Sequence, residues 1–260
     1  MIIEYHRPKT LEEALQLLAR TNPPTFPLGG GTVLNQPLKQ EFAVVDVQAL
    51  GLDQVAFKGK TLEIGAAVKL QTLLERINDL PALAKAIRHQ AGYNLRNMAT
   101  VAGTLAAADG RSPFAVAMMA LNAQLAILKA CQAEGPQSEV SGLGDLLPLR
   151  PEALAHGLIK TVAIPLNVQL AYEYIARTPA DLPVVCAAVA QWPSGRTRVV
   201  LGGFGESPLL AMDGPQPDGA EIAAQDAYRH AGDQWASAEY RREMAAVLTG
   251  RCIESLKVNG

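Results

Sequence analysis

Cysteine is scarce: Cys131, Cys186 and Cys252 stand far apart in 260 residues, and no C-x-x-C occurs. That excludes a zinc or iron–sulfur site built from this chain alone. It suits a reducing cytoplasm in which the thiols act as small core groups. The four histidines, at 6, 89, 156 and 230, have no ligand spacing, so no protein-held metal is expected. No apolar run approaches the roughly 18 residues needed to cross a bilayer. The opening MIIEYHRPKT lacks the basic and apolar regions of an export leader, so a cytoplasmic location is expected. An excess of one charge is also missing. Lys and Arg number 23 against 25 Asp and Glu, and no basic run offers a footprint for nucleic acid. Aromatics make up only 5% of the chain, yet 49% is hydrophobic, which is enough for ordinary buried cores.

What is present reads as short, mixed elements. KTLEEALQLLAR is a helix: Thr10 is placed as N-cap, Glu13 completes a capping box, and Leu11, Ala14, Leu15 and Leu18 form one stripe. TFPL and FAVVDV (42–47) read as strands, the second a continuous β-branched run. The start is therefore a small α/β unit. QVAFKG and TLEIGAAV are strands around a turn at Lys58-Gly59-Lys60. LQTLLERI and LPALAKAIRHQ read as helices, and Ser112-Pro113 opens another. AQLAIL and LIKTVAIP are strands, and the middle region is α+β. PVVCAAVAQW and RTRVVLGGFG form a hairpin through Pro193-Ser194-Gly195, and MDGPQPDGAE (212–221) is a surface loop. A last helix spans residues 237–256, with Ser237 capping. Its expected inward face is Tyr240, Met244, Val247 and Leu248, with Arg241, Arg242 and Glu243 outward.

Two glycine-rich stretches carry the possible chemistry. The first is GGGT, Gly29, Gly30, Gly31 and Thr32; the second is TVAGTLAAAD, from Thr100 to Asp109, read as a loop of small residues. Consecutive amides with small side chains can cradle an anion, and two such loops can clamp two phosphates. Neither is followed by Lys-Ser/Thr, so a Walker loop is disfavoured. Tight turns or close packing would explain the same glycines.

At these stretches the sequence resembles the FAD-binding (medium) subunit of the molybdenum hydroxylases, the xanthine dehydrogenase and carbon monoxide dehydrogenase family. A first motif like A-G-G-T-D-L-L-x-x-M-K stands here as GGGTVLNQPLK. A second, like R-N-x-x-T-I-G-G-N-L-A-x-A-D-P-x-x-D, stands as RNMATVAGTLAAADGRSP. VVDVQALGLDQVAFKGKTLEIGAAVKLQTLLE, RTPADLPVVCAAVA, RVVLGGFGESPLLA and SAEYRREMAAVL follow in the family's order. The departures are Val33 for an Asp, Ala102-Gly103-Thr104 for G-G-N, Pro113 for a later Asp, Tyr174 for a Lys, and Gln90 near a stacking aromatic.

The resemblance implies an α+β fold: a two-subdomain FAD-binding fold of the vanillyl-alcohol-oxidase/PCMH type plus a C-terminal domain with a three-stranded antiparallel sheet and helices. The implied division is 1–55 and 56–166 for the two FAD-binding subdomains and 167–260 for the C-terminal domain. It implies an oxidoreductase subunit that relays electrons through FAD to an external acceptor such as NAD or a quinone. The implied partners are an iron–sulfur small subunit with [2Fe-2S] clusters and a molybdopterin large subunit, in a hetero-oligomer. Gly29, Gly30, Gly31, Thr32, Thr100, Gly103 and Thr104 would meet the pyrophosphate. Asp109 matches an acidic position of the second motif, and Ile159 an apolar position beside the flavin ring. No side chain need do acid–base work, so no catalytic residue is assigned. A family member that has lost FAD and serves as a structural or assembly subunit is a second reading, and a free-standing flavoenzyme or nucleotide-binding module a third.

Overall fold

The computed structural model describes residues 1–34, 40–130 and 136–258; Cys131 and the end of the first motif lie outside them. The chain divides into two compact units. Residues 1–76, 93–107 and 124–163 form the first, and residues 77–92, 108–123 and 164–260 form the second.

The first unit holds two sheets. Strands β1 (Ile2–His6), β2 (Thr25–Leu28) and β3 (Phe42–Asp46) form a parallel sheet in the order β1-β3-β2. The central strand is wholly buried, as its unbroken apolar run requires. The helix Leu11–Leu18 buries Ala14, Leu15 and Leu18. Thr10 accepts from the Glu13 amide at 3.2 Å, but Glu13 reaches back to the Lys9 amide instead of the cap's own. Five further strands follow: β4 (Val55–Lys58), β5 (Thr61–Gly65), β6 (Gln124–Lys129), β7 (Gln137–Gly142) and β8 (Gly157–Pro165). They form a sheet in the order β4-β5-β8-β6-β7. The turn between β4 and β5 pairs Lys58 with Thr61 around Gly59, whose φ of +60° fits a tight hairpin.

Here one expectation fails. The second glycine stretch is not a loop: Val101–Ala106 is a helix, with Thr100 as its N-cap. Its Gly, Ala and Thr composition hides the turn, because the cap and the neighbouring strand supply the order that apolar periodicity would otherwise signal.

The second unit is built on an antiparallel sheet of β9 (Gln169–Ile175), β10 (Val185–Gln191), β11 (Thr197–Gly202) and β12 (Leu209–Gly214), in the order β12-β11-β10-β9. The fourth strand, β12, takes in the beginning of the stretch read as a surface loop. The rest of that stretch leads into a helix, Ala220–Ala227. Gly195 at φ +90° closes the β10–β11 hairpin. The helix Pro113–Ala120 is buried on every side.

The last helix, Ala238–Val258, is rotated from the expected face. Arg241, Ala245, Leu248, Thr249, Cys252 and Leu256 are buried, while Tyr240 and Val247 are 41% and 38% exposed. Arg241 can turn inward because the core holds acceptors for it. It donates to the carbonyls of Val184, Ala231 and Ala236 at 3.0, 2.8 and 3.1 Å, and to both Asp233 oxygens at 2.8 and 2.9 Å. A buried guanidinium is tolerated only under such saturation.

Candidate functional site

A cleft of about 670 Å³ lies within the first unit. Its floor follows from parallel-sheet geometry. β2 ends at Leu28, whose carbonyl accepts from the Val47 amide at 3.1 Å, and the chain then turns away through the glycines. Gly31 has φ +69°, and Gln48 Nε2 donates to the Gly29 carbonyl at 3.3 Å. A Cβ on Gly29 would stand 2.6 Å from Thr100 Oγ1, and one on Gly30 would stand 1.8 Å from the Met98 carbonyl oxygen. So the two glycine stretches touch, and Gly29 and Gly30 are glycine because the second segment occupies the space of a side chain.

The two segments offer different chemistry. Among the described residues, no hydrogen bond engages the amides of Gly29, Gly30, Gly31 or Thr32. In the second segment the amides from Val101 to Thr104 are engaged. Val101 donates to Val68 O at 2.8 Å, Ala102 to Ala66 O at 3.2 Å, Gly103 to Thr100 Oγ1 at 3.2 Å and Thr104 to Thr100 O at 2.9 Å. The Thr104 hydroxyl also donates to Thr100 O, at 2.8 Å. Ala102 lies in helical backbone, so the position demands no glycine.

Thr100, Gly103 and Ile159 line the cleft with Gly29–Thr32; Thr104 does not. Asp109 belongs to the second unit, is exposed, and accepts from the Arg111 amide at 2.9 Å. Pro113 and Gln90 are also in that unit. Gln90 Oε1 accepts from Ser112 Oγ at 2.7 Å and from the Phe114 amide at 3.1 Å, so it completes the cap of the helix that Pro113 starts. The ring of Tyr174 lies 3.8 Å from that of His89.

Three more residues at the cleft, Arg20, Arg150 and His156, belong to no motif that would single them out. Among the described residues, no Asp or Glu lines it. Arg20 follows the first helix and grips Glu4 with two hydrogen bonds, at 2.7 and 3.2 Å. Those bonds, with the nearby His6, hold the Glu4 carboxyl down to about 2. His156 has φ +55°, and its Nδ1 lies 3.0 Å from the Leu18 carbonyl. A carbonyl only accepts, so Nδ1 carries the proton.

A line of unengaged amides on a wall that shows no carboxylate among the described residues makes a receptor for an extended anion. The residues therefore fit a dinucleotide pyrophosphate. Parallel and antiparallel sheets around such a cleft, followed by an antiparallel sheet with helices, are the FAD-binding fold of the PCMH type with its C-terminal domain.

The family model described as "FAD binding domain in molybdopterin dehydrogenase" matches residues 1–167. The chain belongs to this family, the FAD-binding medium subunits of the molybdenum hydroxylases. It is 28% identical over 254 residues to the Escherichia coli (strain K12) protein YgfM, covering 95% of this chain and 94% of that one. To the carbon monoxide dehydrogenase medium chain of Afipia carboxidovorans it is 27% identical over 284 residues, covering 98% and 96%. Among solved structures, a chain of reconstituted CO dehydrogenase from Oligotropha carboxidovorans superposes with a TM-score of 0.79 at 25% identity, covering 96% of each chain. Among the described residues, no helix is long and apolar enough to cross a membrane.

Proposed function

We propose that this chain is the electron-transfer flavoprotein of a multi-subunit molybdenum hydroxylase. In this reading it receives electrons from [2Fe-2S] clusters on a small subunit, after a molybdopterin large subunit has oxidised the substrate, and passes them to an external acceptor. The observation that carries the reading is the run of amides from Gly29 to Thr32, unengaged among the described residues, at a cleft whose described wall holds no carboxylate.

Bound FAD would supply the redox chemistry; the protein supplies position and electrostatics. The amides of Gly29, Gly30, Gly31 and Thr32 hold the pyrophosphate. Thr100 keeps its hydroxyl proton for the ligand, because its oxygen already accepts from Gly103 N. Gly103 leaves the wall open, and Thr104 steadies the Thr100 carbonyl from behind. Ile159 gives the ring an apolar wall, and Asp109 is the acidic residue assigned from the second unit. We also propose the functional division 1–55, 56–166 and 167–260, which matches the strands of the three sheets to within a residue. A cytoplasmic complex suits Cys186 and Cys252, both free, buried and pushed up to about 12 by that burial.

One observation favours a second reading, a subunit kept for assembly after loss of FAD. The amides from Val101 to Thr104 in the second segment are already taken within the protein, so none of these four is left for a phosphate. Purified protein decides between the two. We expect flavin absorption bands, released on denaturation, and uptake of added FAD by the stripped chain. A colourless chain that takes up no FAD would leave the assembly role.

A further inference from the structure

We propose that Gln48 is a positioning residue of the cleft: it fixes the peptide between Gly29 and Gly30 so that the amide, and not the carbonyl, faces the pyrophosphate. The inference rests on the reading of the cleft as an FAD site.

The need for such a residue follows from the run of glycines. A planar peptide unit turns over as a body when ψ of the residue before it and φ of the residue after it change together. Between Gly29 and Gly30 both of those dihedrals belong to residues without a Cβ, so the local backbone resists the turn little. The two ends of the unit carry partial charges of opposite sign. Its N–H attracts an anion, and its carbonyl repels one. Such a run cradles a phosphate only if something outside it sets which end faces the ligand.

The sheet itself does not reach far enough. Pairing of β2 with β3 ends at Leu28 and Asp46, and the Leu28 carbonyl accepts from the Val47 amide at 3.1 Å. One residue further on, a side chain takes over from the ladder. Gln48 Nε2 donates to the Gly29 carbonyl at 3.3 Å. In a trans peptide the carbonyl and the following N–H point in opposite directions, and among the described residues the one cis bond is Asn22–Pro23. The Gly30 amide is therefore turned away from Gln48. Gly30 lines the cleft, and Gln48 does not.

Gln48 can hold the glycines because it is itself held. Its own amide donates to Asp46 Oδ1 at 2.9 Å, and the Tyr5 hydroxyl donates to Asp46 Oδ2. Asp46 is only 4% exposed, so the anchor is a buried carboxylate at the end of β3. That carboxylate is not part of the cleft wall. It steadies the peptide through the exposed Gln48 side chain without placing a negative charge beside the ligand.

The test uses the full chain, stripped of FAD and titrated with FAD in a calorimeter. Gln48→Met keeps the reach of the side chain and removes its donor. The dissociation constant should rise about three- to tenfold, as for the loss of one hydrogen bond. Phosphorus NMR of the FAD-loaded variant should show displaced pyrophosphate resonances. The visible flavin spectrum and the melting temperature of the stripped chain should not change. Gln48→Lys restores a donor and should bind FAD more tightly than Gln48→Met. Wild-type affinity in Gln48→Met, or a weakened affinity with the phosphorus resonances unmoved, would overturn the positioning role and leave the flavoprotein reading intact. A wild-type chain that takes up no FAD would overturn both.

Discussion

Gly30 is the residue on which the cleft most plainly turns. Its missing side chain is replaced by the Met98 carbonyl, and a Cβ would need to stand 1.8 Å from that oxygen. Gly30→Ala should therefore cost about 3 kcal/mol or more, because backbone has to move on one side or the other. The checks are the midpoint of chemical unfolding and the FAD content of the purified chain, and both should fall. A stable, fully loaded variant would show that the two segments can separate without consequence. The glycine itself was legible in the sequence, but its reason was not. GGGT announces free backbone; that the freedom serves contact with residues 98–100 is a tertiary fact. The same limit hid Arg20 and His156, which border one cleft from opposite ends of the first unit's sequence.

Elements governed by their own neighbours were the easiest to read. Thr10 and Glu13 mark the first helix, and an unbroken β-branched run marks the buried β3. Where tertiary partners decide, the reading slipped. Val101–Ala106 has too little periodicity to announce a helix. In the last helix a charged residue stands where small side chains carry the buried stripe, so hydropathy turned the face by about one residue. Arg241 supports the prediction at this scale. Arg241→Ala takes the guanidinium away from Asp233, which keeps only the Trp235 and Ala236 amides, and from three carbonyls, which should destabilise the second unit by about 3–5 kcal/mol. Trp235 fluorescence should report the loop loosening before global unfolding. Superimposable unfolding curves for variant and wild type would mean the network carries little net stability.

The two units interleave along the chain, and this sets the whole-molecule expectation. The matched segment 1–167 includes residues 77–92 and 108–123, whose packing partners lie in 164–260. A fragment 1–167 would expose the eight-residue helix Pro113–Ala120, apolar on every side and wholly buried in the full chain. We expect that fragment to aggregate, read by size-exclusion chromatography with light scattering; a monodisperse fragment would contradict the shared core. The broad α+β character and the C-terminal sheet were legible from strand and turn signals. The interleaving was not, because it depends on which elements close distant loops rather than on any local pattern.

The helix Pro113–Ala120 also fixes an order of events at synthesis. The ribosome releases it well before β10 and β11, the strands of its own unit, exist. At about 5–20 residues per second, this apolar segment waits several seconds without a core. During that interval it is a natural client for a chaperone at the exit tunnel, so the yield of soluble chain should follow chaperone supply more closely than codon choice.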